Sequence, residues 1–378
     1  MKIAYVYDAV YPWEKGGAQK RVWEIARRLT EDHDVHLYGM RYWDGPSVIE
    51  KEGVTLHGVC DPQDLYVEGR RSISQALYFS AHLVPSLLGE DFDVIDCQEF
   101  PYFPVFVSKA HEQFRGSTLV VTWYEHWGDY WCEYLGSKGV FGKQVERLAL
   151  RVPTHVIPIS DAIKADVERF GRDHDVTVVP NGVDYDGIQA VPGADADWDV
   201  IYVGRLSEHK NVDVLLEAVE IAADEFDVTC GIIGDGPERE SLVDCAVELG
   251  VDDRVEFLGF VEEDDDVIGY LKVSDVFVLP STREGFPNTI LEANACGVPA
   301  VVIDHEENGG TAVVEDGKTG YITELDPEVI ADRIVDVCTD DSHKQDLREH
   351  AEAFGRNHDW DVIVSEMEQT YLSSVMKT

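Results

Sequence analysis

Two unbroken apolar runs, residues 276–280 (VFVLP) and 298–303, flank a polar turn and one short helical pattern. Runs of that length, rich in β-branched residues, suit strands buried on both faces. Between them Asn288 or Thr289 is placed to cap a helix by accepting a free backbone N–H, and Ile290, Leu291, Ala293 and Ala295 supply its interior. Gly297 can end that helix in the left-handed conformation, and Pro299 blocks continuation. Strand, loop, helix, strand in so short a span builds half of a doubly wound sheet, and the loop falls at the carboxyl edge, where such sheets hold ligands.

The same alternation runs through the rest of the chain. Strand patterns fall at residues 3–6, 35–38, 54–59, 94–97, 119–123, 155–160 and 176–179, with helical stripes at Val22, Ile25, Ala26 and Leu29 and over 72–88. A second series starts at 199–203. It continues with the stripe Val212, Leu215, Leu216, Val219, strands at the start of 231–242 and in 254–261, a hairpin at Asp316 and Gly317, and helix from Pro327. At 378 residues the chain exceeds one small core, so two domains are expected. Residues 185–198 are rich in Gly, Pro and Asp without periodicity. That places one Rossmann-like α/β domain at 1–187, a linker at 188–198 and a second α/β domain at 199–359.

Charge narrows the function classes. The 74 acidic residues outnumber the 31 basic ones, for a formal net charge of −43. Nucleic-acid binding, which needs neutralised phosphates, is excluded. Such self-repulsion is relieved by salt, since the Debye length falls to about 3 Å at 1 M, so a halophilic cytoplasm is expected. Seven scattered cysteines read as reduced thiols of a cytosolic protein. The chain opens on a strand rather than a signal peptide, and no apolar run approaches membrane-spanning length. The acidic runs at 264–266 and 195–197 resemble metal-binding Asp-x-Asp sites only in composition; they read as solvated loops, and no metal is expected.

Several polar residues fall where strands end. Glu284 precedes the 288–295 helix and Glu292 lies inside it. A helix start carries roughly half a positive charge, and two flanking acceptors suit an anion bearing neutral hydroxyls. Arg205 and Lys210 stand between a strand and a helix in a chain poor in cations, and two cations there suit a diphosphate. Any one of these residues alone is as readily an ordinary surface group. Gly16 and Gly17 lead into a helix carrying Lys20 and Arg21, and permit positive φ and a close ligand approach. Residues 123–136 crowd aromatics around Glu125 and His126, most of which packing explains. The helix at 140–151 alternates apolar and cationic residues, as a domain helix or a membrane-surface helix does.

Taken together, Glu284, seven residues and Glu292 resemble the signature of the retaining glycosyltransferases of family 4, which face two Rossmann-like domains in the GT-B architecture. The resemblance spans essentially the whole chain. It implies that Arg205 and Lys210 neutralise the diphosphate of a nucleoside diphosphate sugar, that Glu292 holds the ribose, and that Glu284 with the backbone of Phe286, Pro287, Asn288 and Thr289 holds the donor sugar. It further implies that Gly236, in GIIGDGPERESL, lies beside the nucleotide, and that Gly16 and Gly17 lie against donor phosphates and acceptor. Asn181, in PNGVD, falls where the family crosses between domains. Where many members end a first-domain strand in a histidine, this chain has Tyr124, followed by Glu125 and His126. The final helix, residues 360–378, is expected to return to the first domain. The resemblance implies transfer without a cofactor to a glycan or a lipid-phosphate-linked glycan, in the cytoplasm or at the inner membrane face. A sugar-nucleotide epimerase and a non-catalytic sugar-nucleotide-binding scaffold share the architecture. A dehydrogenase lacks support because no dinucleotide fingerprint follows the first strand.

Overall fold

A computed structural model describes residues 1–67, 70–172 and 174–377. The chain divides into two units, Met1–Asn181 with Asp361–Thr378, and Gly182–Trp360.

The first unit is built on a seven-stranded sheet. From edge to edge its strands are Val48–Lys51, Val54–Cys60, Asp34–Met40, Lys2–Val6, Val94–Gln98, Thr118–Trp123 and His155–Pro158. All neighbours run parallel except the outermost hairpin strand Val48–Lys51. The strands Lys2–Val6, Val94–Gln98 and Thr118–Trp123 are almost wholly buried, as parallel strands covered by helices on both faces must be. The expected strand at 176–179 is reduced to a single bridge between Val156 and Val176.

The second unit repeats the plan with six parallel strands, in the order Val255–Gly259, Cys230–Ile233, Trp198–Val203, Ser274–Leu279, Ala300–Ile303 and Gly320–Thr323. The strand order reverses between Trp198–Val203 and Ser274–Leu279, the kind of point at which doubly wound sheets open a crevice. No hairpin forms at Asp316 and Gly317: Gly317 turns with a positive φ of 70°, and the strand that follows pairs parallel to Ala300–Ile303.

The division falls at Asn181 rather than after residue 187, and the stretch expected to be linker belongs to the second unit. Asp184 caps a helix, Tyr185–Ala190, by accepting the Gly187 N–H at 3.1 Å. Local capping outweighed the Gly- and Asp-rich composition. The triplet Asp264–Asp266 is not a loop either; it forms the first turn of helix Asp264–Lys272, where carboxylates complement the helix dipole.

The last helix, Trp360–Val375, starts in the second unit and continues in the first. Trp360 packs under Gly182, where a Cβ would come within 2.5 Å of the indole. Farther on, Tyr371 donates to Asp96 at 2.6 Å and shares a hydrogen bond with Tyr5 at 2.9 Å. Arg28 reaches Asp361 at 2.8 Å. Among the described residues no helix is long and apolar enough to cross a membrane.

Candidate functional site

In the second unit, four chain segments meet at the carboxyl edge of the sheet. After Trp198–Val203 the chain runs through Gly204 and Arg205 into a short 3-10 turn, Glu208–Lys210. After Cys230–Ile233 it passes Gly234 and Gly236. These glycines are required: a Cβ on Gly234 would lie 1.8 Å from the Gly204 carbonyl oxygen, and one on Gly236 2.0 Å from that of Leu206. Gly234 also sits at φ 143°, which side-chain-bearing residues avoid. The two loops therefore touch backbone to backbone.

The third and fourth segments are zipped together. Glu284 N donates to Glu307 O at 3.0 Å, and Gly309 N to Glu284 O at 2.8 Å. Buried Asn308 donates to the carbonyls of Ser281 (3.0 Å) and Ile303 (2.7 Å) while accepting Gly310 N at 2.9 Å. Asn211, in the left-handed conformation at φ 50°, donates to the Pro280 carbonyl at 3.0 Å. Neither asparagine figured among the expected site residues. Asn308 carried a signal, its place before two glycines; Asn211 carried none, because its partner lies far along the sequence.

This frame brings Lys210 and Glu284 into an ion pair, with side chains only 14% and 12% exposed. Arg205 remains exposed. Beside them, burial and then the Lys210 charge push the His209 imidazole below its usual range. Helix Asn288–Ala295 begins directly after the Glu284 loop, with Phe286 half-buried against the core. Its cap position is Pro287, and no side chain caps it, so Asn288 and Thr289 occupy the first turn rather than the cap. Glu292 follows one turn after Asn288 on the same face. The expected ligands Arg205, Lys210, Gly236, Glu284, Phe286, Pro287, Asn288, Thr289 and Glu292 thus share one sheet edge and its loops.

The first unit treats its candidates differently. Gly16 is extended at φ 176° and Gly17 opens helix Gly17–Leu29; neither takes positive φ. Arg21 is buried, 1% exposed. Its guanidinium donates to the carbonyls of Val179 (2.8 Å) and Pro180 and to Asn181 Oδ1 at 3.1 Å. Arg21 and Asn181 therefore fix the end of the unit to the helix, and burial pushes the Arg21 pKa down.

His126 also turns inward. Its ring stacks on Phe170 with centroids 3.7 Å apart, and Nδ1 lies 3.2 Å from Glu146. Neither ring nitrogen makes a well-aligned hydrogen bond. Glu146, 1% exposed on an otherwise apolar helix face, is the centre of this region. It accepts from Trp127 N (2.8 Å), Gly128 N (3.1 Å), Trp131 Nε1 and Tyr102 OH (both 3.2 Å). Buried Glu99 accepts Tyr124 N at 2.8 Å and Glu125 N at 3.0 Å, and burial raises its pKa well above the usual carboxylate range. Glu125 is left exposed. The two organising acids escaped the sequence reading, although an acid in an apolar stripe is a signal.

Among the described residues, Asp199, Asp275 and Cys338 come together closely enough to suggest a metal. Asp275 instead pairs with Lys344 at 2.7 Å and Arg348 at 3.0 Å, and burial keeps the Cys338 thiol protonated by raising its pKa. An ion-pair cluster describes the group better than a metal site.

Comparison with known proteins agrees with this architecture. Residues 187–354 match the glycosyl transferases group 1 family, and residues 15–186 match glycosyltransferase family 4. N-acetyl-alpha-D-glucosaminyl L-malate synthase of Bacillus anthracis is 32% identical over 174 residues, 46% of this chain and 44% of that protein. A glycosyltransferase of Methanocaldococcus jannaschii is 27% identical over 82% of this chain and 84% of its own. The matched region spans about half the length of the first curated relatives. Among solved structures, HepE of Anabaena in complex with UDP superposes with a TM-score of 0.74 at 21% identity, covering 99% of this chain and 100% of that one.

Proposed function

The chain belongs to glycosyltransferase family 4, with the GT-B fold, and from that premise we propose that it transfers a sugar from a nucleoside diphosphate sugar to an acceptor hydroxyl, with retention of anomeric configuration. The observation that carries this reading is the Lys210–Glu284 pair at the edge of the second sheet. In this pair each charge neutralises the other. A donor diphosphate arriving beside Arg205 and Lys210 takes over the ammonium, and Glu284 is released to accept hydroxyls of the transferring sugar. The N–H groups at the start of helix Asn288–Ala295 add positive potential where the leaving diphosphate develops charge. Glu292 is the acceptor for ribose hydroxyls.

Retention comes from same-face attack assisted by the departing phosphate, without a covalent carboxylate intermediate. The acceptor is a glycan or a lipid-phosphate-linked glycan, and transfer needs no divalent ion. HepE has been solved with UDP-glucose, which makes UDP-sugars the first donors to try. The test incubates the protein with labelled UDP-, GDP- and ADP-sugars, with and without glycan acceptors, in EDTA. Label transferred with retained configuration supports the reading. Donor conversion without acceptor, or activity that returns only with Mg²⁺ or Mn²⁺, contradicts it.

A further inference from the structure

Helix Gly139–Arg151 has two unlike faces. The inward face is locked against the aromatic loop. A Cβ on Gly139 would lie 2.1 Å from the Trp131 carbonyl oxygen, and one on Gly142 2.4 Å from the Trp131 ring. Glu146 adds its bonds to Trp127, Gly128 and Trp131 from the same side. The outward face leaves Val140, Phe141 and Leu148 at 54%, 75% and 53% exposure.

The charges on this outward face are opposite to the chain's. Four of the 31 Lys and Arg residues fall within 138–151, and the only acid there is buried Glu146. Lys143 is paired with exposed Asp129, which leaves Lys138, Arg147 and Arg151 around the apolar side chains. Another exposed apolar stripe, Ile73, Leu77 and Val84 on helix Ile73–Leu87, has no Lys or Arg along it. A cationic, apolar face calls for an anionic surface with an apolar interior. A second copy of the chain does not fit, because a two-fold contact would set the same cations against each other.

We propose that helix Gly139–Arg151 docks the protein on an anionic lipid bilayer, with Phe141 and Leu148 entering the headgroup region and Lys138, Arg147 and Arg151 meeting lipid phosphates. This deepens the lipid-linked acceptor reading, since the helix is fixed to the loop that follows strand Thr118–Trp123 at its carboxyl end. The assay contains neither donor nor acceptor, so its failure leaves the transfer reading standing.

Co-sedimentation of the full chain is measured with vesicles of equal phosphatidylglycerol and phosphatidylcholine, and with phosphatidylcholine alone. A chain of net charge −43 should avoid the anionic vesicles unless a local surface reverses the preference. Binding should be tighter to the anionic vesicles. A double variant Arg147→Glu, Arg151→Glu should lower it by about tenfold or more, at roughly 1 kcal/mol per cation. Phe141→Ser should weaken it too, and Leu77→Ser should not, with melting temperatures confirming that all variants fold. Equal binding to both vesicle types, no binding, or unchanged binding by the charge-reversed variant would overturn the proposal. So would a dimer that depends on Phe141 and ignores vesicles.

Discussion

The two units share a sheet plan but not a charge. Gly182–Trp360 carries 44 Asp and Glu against 11 Lys and Arg, whereas the remainder carries 30 against 20. The unit assigned the diphosphate is thus by far the more negative. A net field of that sign repels the ligand, so its few cations at the sheet edge must act at short range. The units also build their edges differently. The second fits backbone to backbone through Gly204, Gly234, Gly236 and Gly309. The first anchors its loops with buried ionisable side chains, Arg21, Glu99 and Glu146.

That contrast sets the size of the expected effects. Arg21→Ala strands two carbonyls and an amide oxygen in the first unit's interior. It should cost about 3–5 kcal/mol of stability, read by urea unfolding, while donor affinity below the melting temperature stays close to wild type. A stable Arg21→Ala protein with donor affinity lost would assign the residue to the ligand instead. In the second unit, Gly234→Ala forces Cβ against a carbonyl at a positive φ. Stability should fall by about 1–3 kcal/mol, with donor affinity falling alongside, since the same loops hold Arg205 and Lys210. Retained affinity would mean that the glycine contact does not shape the site.

Asp96 offers a finer test of the side-chain networks. Burial pushes its carboxyl up to about 6, opposed by hydrogen bonds from Tyr371, Thr122 and Gln98. A folded pKa above the unfolded value contributes stability that is full below pH 3.8 and is lost as pH rises through 6. Asp96→Asn removes that titration, and the Tyr371 hydroxyl can turn to Tyr5. Between pH 5 and 7.5 wild type should lose about 1.4 kcal/mol relative to the variant. Parallel pH profiles would remove Asp96 from the account. Salt should act least per site and most widely: from 0.1 to 2 M KCl the melting temperature should rise, with hydrogen exchange slowing more in Gly182–Trp360. An unchanged melting temperature would count against self-repulsion.

The same contrast explains what could be read from the sequence. Apolar strand runs such as 276–280, and Gly297, which ends its helix at φ 71°, carry their structural meaning locally. So do Lys210 and Glu284, because the carboxyl edge collects whatever follows a parallel strand. Arg21 and His126 are opaque in the sequence for the opposite reason. Nothing near Arg21 in sequence reveals that Val179, Pro180 and Asn181 will receive its guanidinium. The rotation of His126 toward Phe170 and Glu146 likewise depends on packing from two other helices. Long-range partners decide whether a polar side chain at a strand end faces a ligand or the core.

The central claim is that the diphosphate is held by Lys210 and its neighbours in the second unit, with Arg21 serving only as scaffold. Calorimetric titration with whichever of UDP, GDP or ADP binds wild type most tightly tests it directly. Lys210→Ala should weaken binding by about 2–5 kcal/mol, 30-fold or more, while Arg21→Ala, titrated well below its melting temperature, stays within about twofold, roughly 0.4 kcal/mol. Unchanged affinity in Lys210→Ala, or the loss appearing in Arg21→Ala instead, would contradict it.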